Sequence, residues 1–314
     1  MESQTPEELA LSFWANFDAL GYKKLRERPI MMTTDGRGMI LDPTFFVERV
    51  SIGPLFHVAK EKGLEIFGAF GDAFEEYVAD ILKRMYPHRP GLVDRVAFGL
   101  SGRDAKGKEF EIDASLLDVS QTIIFETKAA FLREDAIVST DHEKLWTEIR
   151  SKYGAATKKG DRDKGVAQLA RSVGAIARSE WLGINREYSG MSIFYPVLVA
   201  HDARLDAPAL GNFLESEFRS LLGSLPAGKH VAPLTVMTIL DLENLEKSID
   251  DFSLVRLLED YSRECPDRFR SLHNYVVFSA YATKIKPSDF LIEASTGILD
   301  VLIKELFPDA KIPD

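Results

Sequence analysis

The chain has 314 residues, 45% of them apolar, with 49 Asp and Glu against 39 Lys and Arg for a net charge of -10. A chain of this length and composition buries a core without staples, which excludes disordered and mini-protein classes. Its single cysteine, Cys265, excludes an internal disulfide framework and a Cys-x-x-Cys zinc site, and points to a reducing, cytoplasmic setting. No secretory leader is read at the N-terminus, and no apolar run is long enough to span a bilayer.

Leu9, Phe13, Phe17 and Leu20 recur at helical spacing, predicting a helix from Pro6 to about Leu25. Asp35-Gly-Arg-Gly38 is a turn signal, followed by short apolar pieces as far as Phe56. Phe74, Val78, Ile81, Leu82 and Met85 form the apolar stripe of a helix that Pro87 and Pro90 end. Three strands follow, Val93 to Leu100, one beginning near Glu109, and Thr122 to Lys128, joined by turn chemistry as an antiparallel meander. Strict alternation places Phe110, Ile112, Ala114 and Leu116 on one face of the second strand. A helix around Trp146 and another from Lys164 to Ile176 come next. Ile193 to Ala200 then reads as a strand buried on both faces. Further helix and strand candidates alternate to Ser248, and from Asp250 the pattern is helical. The order predicts an α/β sandwich with a central mixed sheet. Its core spans residues 61–248, between a mostly helical N-terminal extension, 1–60, and a C-terminal helical extension, 249–314.

Charge is unevenly distributed. Between Lys128 and Arg178 there are 11 Lys/Arg against 7 Asp/Glu, a basic stretch on an acidic body. Such a stretch guides a polyanion to one place. Lys158, Lys159, Arg162 and Lys164 are the candidate phosphate contacts, and phosphate contacts give register without sequence specificity.

The segment from Glu111 to Ala129 carries the chemistry. Period-two alternation points Glu126 and Lys128 one way and Phe125 and Thr127 the other. A hairpin turning near Asp118 to Gln121 brings Asp113 beside Glu126. A Glu-x-Lys at a strand end is by itself an ordinary ion pair worth ~0–1 kcal/mol. Two neighbouring carboxylates, however, repel unless a cation lies between them, and hard oxygen ligands suit Mg²⁺ or Mn²⁺. Such an ion activates water and stabilises charge on a phosphoryl oxygen. Lys128 then positions or deprotonates that water, or stabilises the transition state.

Taken in order, Gly71-x-x-x-Glu75, Asp113, Glu126-Thr-Lys128 and Gln168 resemble the PD-(D/E)xK nuclease superfamily, which includes restriction endonucleases and archaeal Holliday-junction resolvases. The resemblance covers roughly residues 65–205 and departs from the family's Pro-Asp pair, which here is Ile112-Asp113. It implies a restriction-endonuclease-like core and a metal-dependent nuclease acting on nucleic acid, DNA before RNA, in bacterial defence or repair. It makes Asp113 and Glu126 metal ligands, with the backbone carbonyl of Thr127, and Lys128 the catalytic lysine. Glu75, in preference to Glu76, is the acid of the first helix, acting through water or a second ion. Gln168 is the glutamine of the next helix. The acidic body leaves targeting to the basic stretch, to a homo-oligomer or to a partner protein. The alternative is a non-catalytic nucleic-acid-binding or scaffold subunit that keeps the fold.

Other chemistries lack their motifs: there is no GxxxxGK, GxSxG or HExxH. His201-Asp202 reads as a strand-end turn, and Cys265 as structural.

Overall fold

The computed structural model describes residues 5–8, 25–26, 28–90, 94–103, 107, 109–137, 139, 141–154, 164–180, 188 and 190–306. The helix expected over Pro6–Leu25 therefore lies largely outside the described residues. The chain divides into two compact units, Met1–Asp72 and Ala73–Asp314.

In the first unit the Asp35 turn signal closes an antiparallel hairpin of β1 (Ile30–Met32) and β2 (Gly38–Ile40). The apolar pieces after it are two helices, α1 (Pro43–Ser51) and α2 (Gly53–Lys62). The carboxylate of Asp42 caps the first by accepting from the N–H of Phe45, and each helix has a proline in its first turn. These short helices bury little, so their apolar periodicity is weak and sequence spacing alone did not reveal them. Helix α3 (Ile66–Met85) begins in this unit and continues into the next.

The second unit is an α/β sandwich around one six-stranded mixed sheet. Strands β3 (Val96–Arg103), β4 (Glu109–Asp118) and β5 (Gln121–Lys128) form the expected antiparallel meander. Helices α4 (Glu134–Ile137), α5 (His142–Tyr153) and α6 (Val166–Ala177) then lead to β6 (Ile193–Ala200), which pairs parallel with β5. After α7 (Leu210–Leu222), the edge beyond β6 is made in two pieces, β7 (His230–Val231) and β8 (Thr235–Thr238), both parallel to it. The break, Ala232 to Leu234, contains Pro233 and lies beside Pro196 of β6. Proline has no N–H for a ladder, so a central strand tolerates one where its neighbour is interrupted. The chain ends in α8 (Ile239–Leu245), α9 (Leu254–Glu264), α10 (Leu272–Val277) and α11 (Asp289–Leu306).

Both sheet faces are covered, which is why β6 reads as a continuous apolar run. On one face Phe74, Val78, Ile81 and Leu82 of α3 join Phe125, Val197 and Val199 with Leu254, Leu258 and Tyr275 of the C-terminal helices. The C-terminal helices thus share a core with the sheet. On the other face Ile149, Leu169, Val173 and Leu214 pack against Ile124, Phe194 and Leu198.

Strand β4 departs from the expected alternation. Ala114 and Leu116 belong to the first core, whereas Phe110 and Ile112 belong to the second. Residues of one parity keep one face only while a strand keeps its regular pleat. The strand therefore turns about its axis between Ile112 and Ala114, at Asp113. On β3 the same exchange separates Phe98 from Leu100. Between them stands Gly99, with φ +56°, a conformation that side-chain-bearing residues rarely adopt.

Candidate active site

The turn of β4 falls where its ladder with β5 stops. The last register pair in that direction is Ala114 with Phe125. Beyond it the N–H of Thr127 has no β4 carbonyl to bond, and Asp113 replaces one. Its Oδ2 accepts from the Thr127 N–H at 2.6 Å and from the Thr127 hydroxyl at 2.8 Å. The N–H and C=O of one strand residue face the same edge, so the Thr127 carbonyl is also on the Asp113 side.

Glu126 is buried, with a relative exposure of 1%. The Lys128 ammonium lies 2.7 Å from its Oε1. That distance is short enough for a hydrogen bond, yet among the described residues no donor is aligned with Oε1. We therefore regard the contact as a charge contact. Burial pushes the Glu126 carboxyl up to about 8, the Asp113 charge adds to the shift, and Lys128 opposes it. Burial lowers the Lys128 ammonium, but the charge of Glu126, with Asp113 and Glu75 behind it, prevails and holds it above the ordinary lysine value.

Glu75 and Glu76 separate clearly. Glu75 is half-buried on α3, and its charge acts on both Glu126 and Lys128. Glu76 is exposed and is not among the charges that shift either group. Gln168 is half-buried on α6, the helix that packs on the Ile112 and Ile124 face. Among the described residues it makes no hydrogen bond to Asp113, Glu126 or Lys128. Thus Asp113, Glu126, Lys128 and Glu75 come together electrostatically, while Gln168 lies on the covering helix.

Of the candidate phosphate contacts, Lys164 is exposed just before α6, and Lys158, Lys159 and Arg162 lie outside the described residues. The basic stretch is substantially neutralised where it is described. Arg133 pairs with Asp135 and Glu148, Lys144 with Asp135, Arg150 with Glu217 and Arg178 with Glu180.

His201 follows β6 directly, and its backbone N–H donates to the Lys128 carbonyl at 3.1 Å. Its ring lies edge-on between Phe74 and Phe131, and burial lowers its pKa. Asp202 closes the strand end by accepting from the N–H of Leu132 and from Arg204.

Whether the residues suit a divalent cation turns on their chemistry. The donor set is oxygen only: two carboxylates and a strand-end carbonyl. Glu126 carries a buried oxygen that no donor among the described residues is aligned with, beside a second carboxylate that repels it. Among the described residues no group of three His, Cys, Asp or Glu side chains is placed to hold a metal ion. Mg²⁺ does not require one, since it binds through one or two carboxylates and keeps several waters. The residues fit a two-carboxylate site.

What sequence reasoning missed is the Thr127 side chain. Regular alternation points its hydroxyl away from Glu126, and only the turn of β4 brings Asp113 to it. Gly99 was the available signal, because an isolated glycine inside a strand marks irregular backbone. No protein-family model matches the chain, and no curated protein matches it in sequence.

Proposed function

We propose that this protein is a divalent-metal-dependent phosphodiesterase acting on nucleic acid, DNA before RNA, with a PD-(D/E)xK-like site. The observation that carries the reading is the convergence of a buried Glu126, Asp113 and Lys128 at one strand end, with Glu75 near enough to act on them.

In this reading Asp113 and Glu126 hold Mg²⁺ or Mn²⁺. A bound ion supplies Lewis-acid polarisation of the phosphoryl group and of water. Lys128 presents its ammonium to the charge that develops on a phosphoryl oxygen. Glu75 accepts from water and orients it. Overall, one phosphorus–oxygen ester bond breaks, a bond from the water oxygen to phosphorus forms, the water gives up one proton to solvent, and the departing alkoxide takes one proton from solvent. The net acidic body makes for weak non-specific affinity, because non-specific binding is carried by cationic contacts to phosphates.

The test is nicking of supercoiled plasmid with Mg²⁺ or Mn²⁺, alongside a structured RNA of similar length. Cleavage is expected in the wild type and is expected to be lost with EDTA, Glu126→Gln and Lys128→Ala. Cleavage that survives both substitutions removes the activity from these residues. DNA retention without cleavage under every metal condition favours the non-catalytic subunit.

A further inference from the structure

Thr127 sits between the two residues that the preceding reading makes essential, and its side chain bonds to an oxygen of one of the candidate ligands. Asp113 Oδ2 already receives two hydrogen bonds from Thr127, one from backbone and one from the hydroxyl. A carboxylate oxygen held by two donors is fixed in orientation, and its partner oxygen then points in a direction set by them. Outer hydrogen bonds of this kind orient ligating carboxylates and tune their affinity. Thr127 is itself buried, so its rotamer is restricted by packing and the hydroxyl is preorganised.

The bond exists only because of the local fold. Thr127 shares the parity of Phe125, whose ring lies in the α3-side core. In an undistorted ladder Asp113 would stand across from Glu126 and the Thr127 hydroxyl would be on the other face. The turn at Asp113, opposite Gly99, carries the carboxylate to the Thr127 edge. Oδ2 is thereby occupied, and Oδ1 remains as the oxygen for a cation.

We infer that Thr127 is a positioning residue for divalent-cation binding, its hydroxyl holding Asp113 Oδ2 so that Oδ1 serves as the ligand atom. The inference rests on the reading of Asp113 and Glu126 as metal ligands and goes beyond it by assigning the middle residue of Glu126-Thr-Lys128 a side-chain role.

The experiment measures Mn²⁺ dissociation constants by electron paramagnetic resonance on the full chain, with metal-free melting curves of the same samples. Thr127→Val removes the hydroxyl and keeps shape and N–H; Thr127→Ser restores a hydroxyl. Loss of an outer partner typically weakens metal affinity by about 10- to 100-fold. With the backbone donor retained, the lower end, about tenfold, is expected for Thr127→Val, and Thr127→Ser is expected to bind Mn²⁺ within about threefold of wild type. If Thr127→Val does not fold, Thr127→Ala against Thr127→Ser gives the same comparison. Wild-type affinity in the hydroxyl-free variant, with Glu126→Gln abolishing binding, overturns the positioning role and leaves the metal site standing. Equal weakening in Thr127→Val and Thr127→Ser, tracking a fall in metal-free melting temperature, overturns it as well, because general loosening then explains the effect. Absence of Mn²⁺ binding in the wild type overturns the metal site and this inference together.

Discussion

Gly99 stands opposite Asp113 in the ladder between β3 and β4, midway between the register pairs Phe98 with Ala114 and Leu100 with Ile112. Its φ of +56° is where the paired strands exchange faces, and an added Cβ would meet nothing within 4 Å there. The cost of a side chain is therefore backbone strain alone, ~1–2 kcal/mol. Gly99→Ala is expected to lower the melting temperature by about 2–8 °C, and to reduce plasmid nicking by more than the stability loss explains. Calorimetry and nicking assays well below the melting temperature check both. A variant that melts at or above wild type would show that the conformation is not required.

Asp113 has a structural duty besides any catalytic one. Asp113→Ala leaves the Thr127 N–H without its acceptor, at a cost of about 1–3 kcal/mol. Asp113→Asn keeps an acceptor oxygen and is expected to stay within about 1 kcal/mol of wild type. Urea unfolding of the metal-free protein separates them, and equal destabilisation by the two substitutions contradicts the staple role.

Arg268 is buried and donates to the carbonyls of Leu234, Pro233, Tyr261 and Cys265 and to the Ser262 hydroxyl. Its guanidinium also lies over the Tyr261 ring. It binds the broken sheet edge to α9, and lysine has neither the fork nor the planar face to replace it. Arg268→Lys is expected to cost roughly 3 kcal/mol, a fall on the order of 10 °C in melting temperature. A shift under about 2 °C in a thermal melt would show that the edge is held by other contacts.

The Asp260 carboxylate receives hydrogen bonds from Tyr281 at 2.8 Å and from Arg263 at 2.5 Å, with Arg256 alongside. Burial raises its pKa, but these partners outweigh burial and hold it below the usual aspartate value. A carboxyl depressed by folding stabilises the native state above its unfolded pKa, about 4. That stability is lost as pH falls through the folded value. Asp260→Asn is expected to melt a few degrees below wild type at pH 7, and the gap should narrow as pH falls below the unfolded value of about 4. A gap that persists unchanged at pH 3 would mean that the charge is not its source.

Sequence periodicity determined the meander, the double-sided burial of Ile193 to Ala200, the common side of Glu126 and Lys128, and the deeper placement of Glu75 than of Glu76. Each follows from spacing within one element, where the 2.0 and 3.6 repeats fix which residues share a face. Tertiary structure decided the rest. The alternation that put Phe110 and Leu116 on one face holds only for an untwisted strand, and cross-strand pairing ended that regularity at Asp113. The helices α1 and α2 were hidden because they bury too little for an apolar repeat to form. The split between β7 and β8 falls at Pro233, where the ladder to β6 is interrupted beside Pro196, a relation between residues 37 positions apart in sequence. The bond from Thr127 to Asp113 depends in the same way on how two strands part, and a sequence pattern local to either strand carries no record of the distance between them.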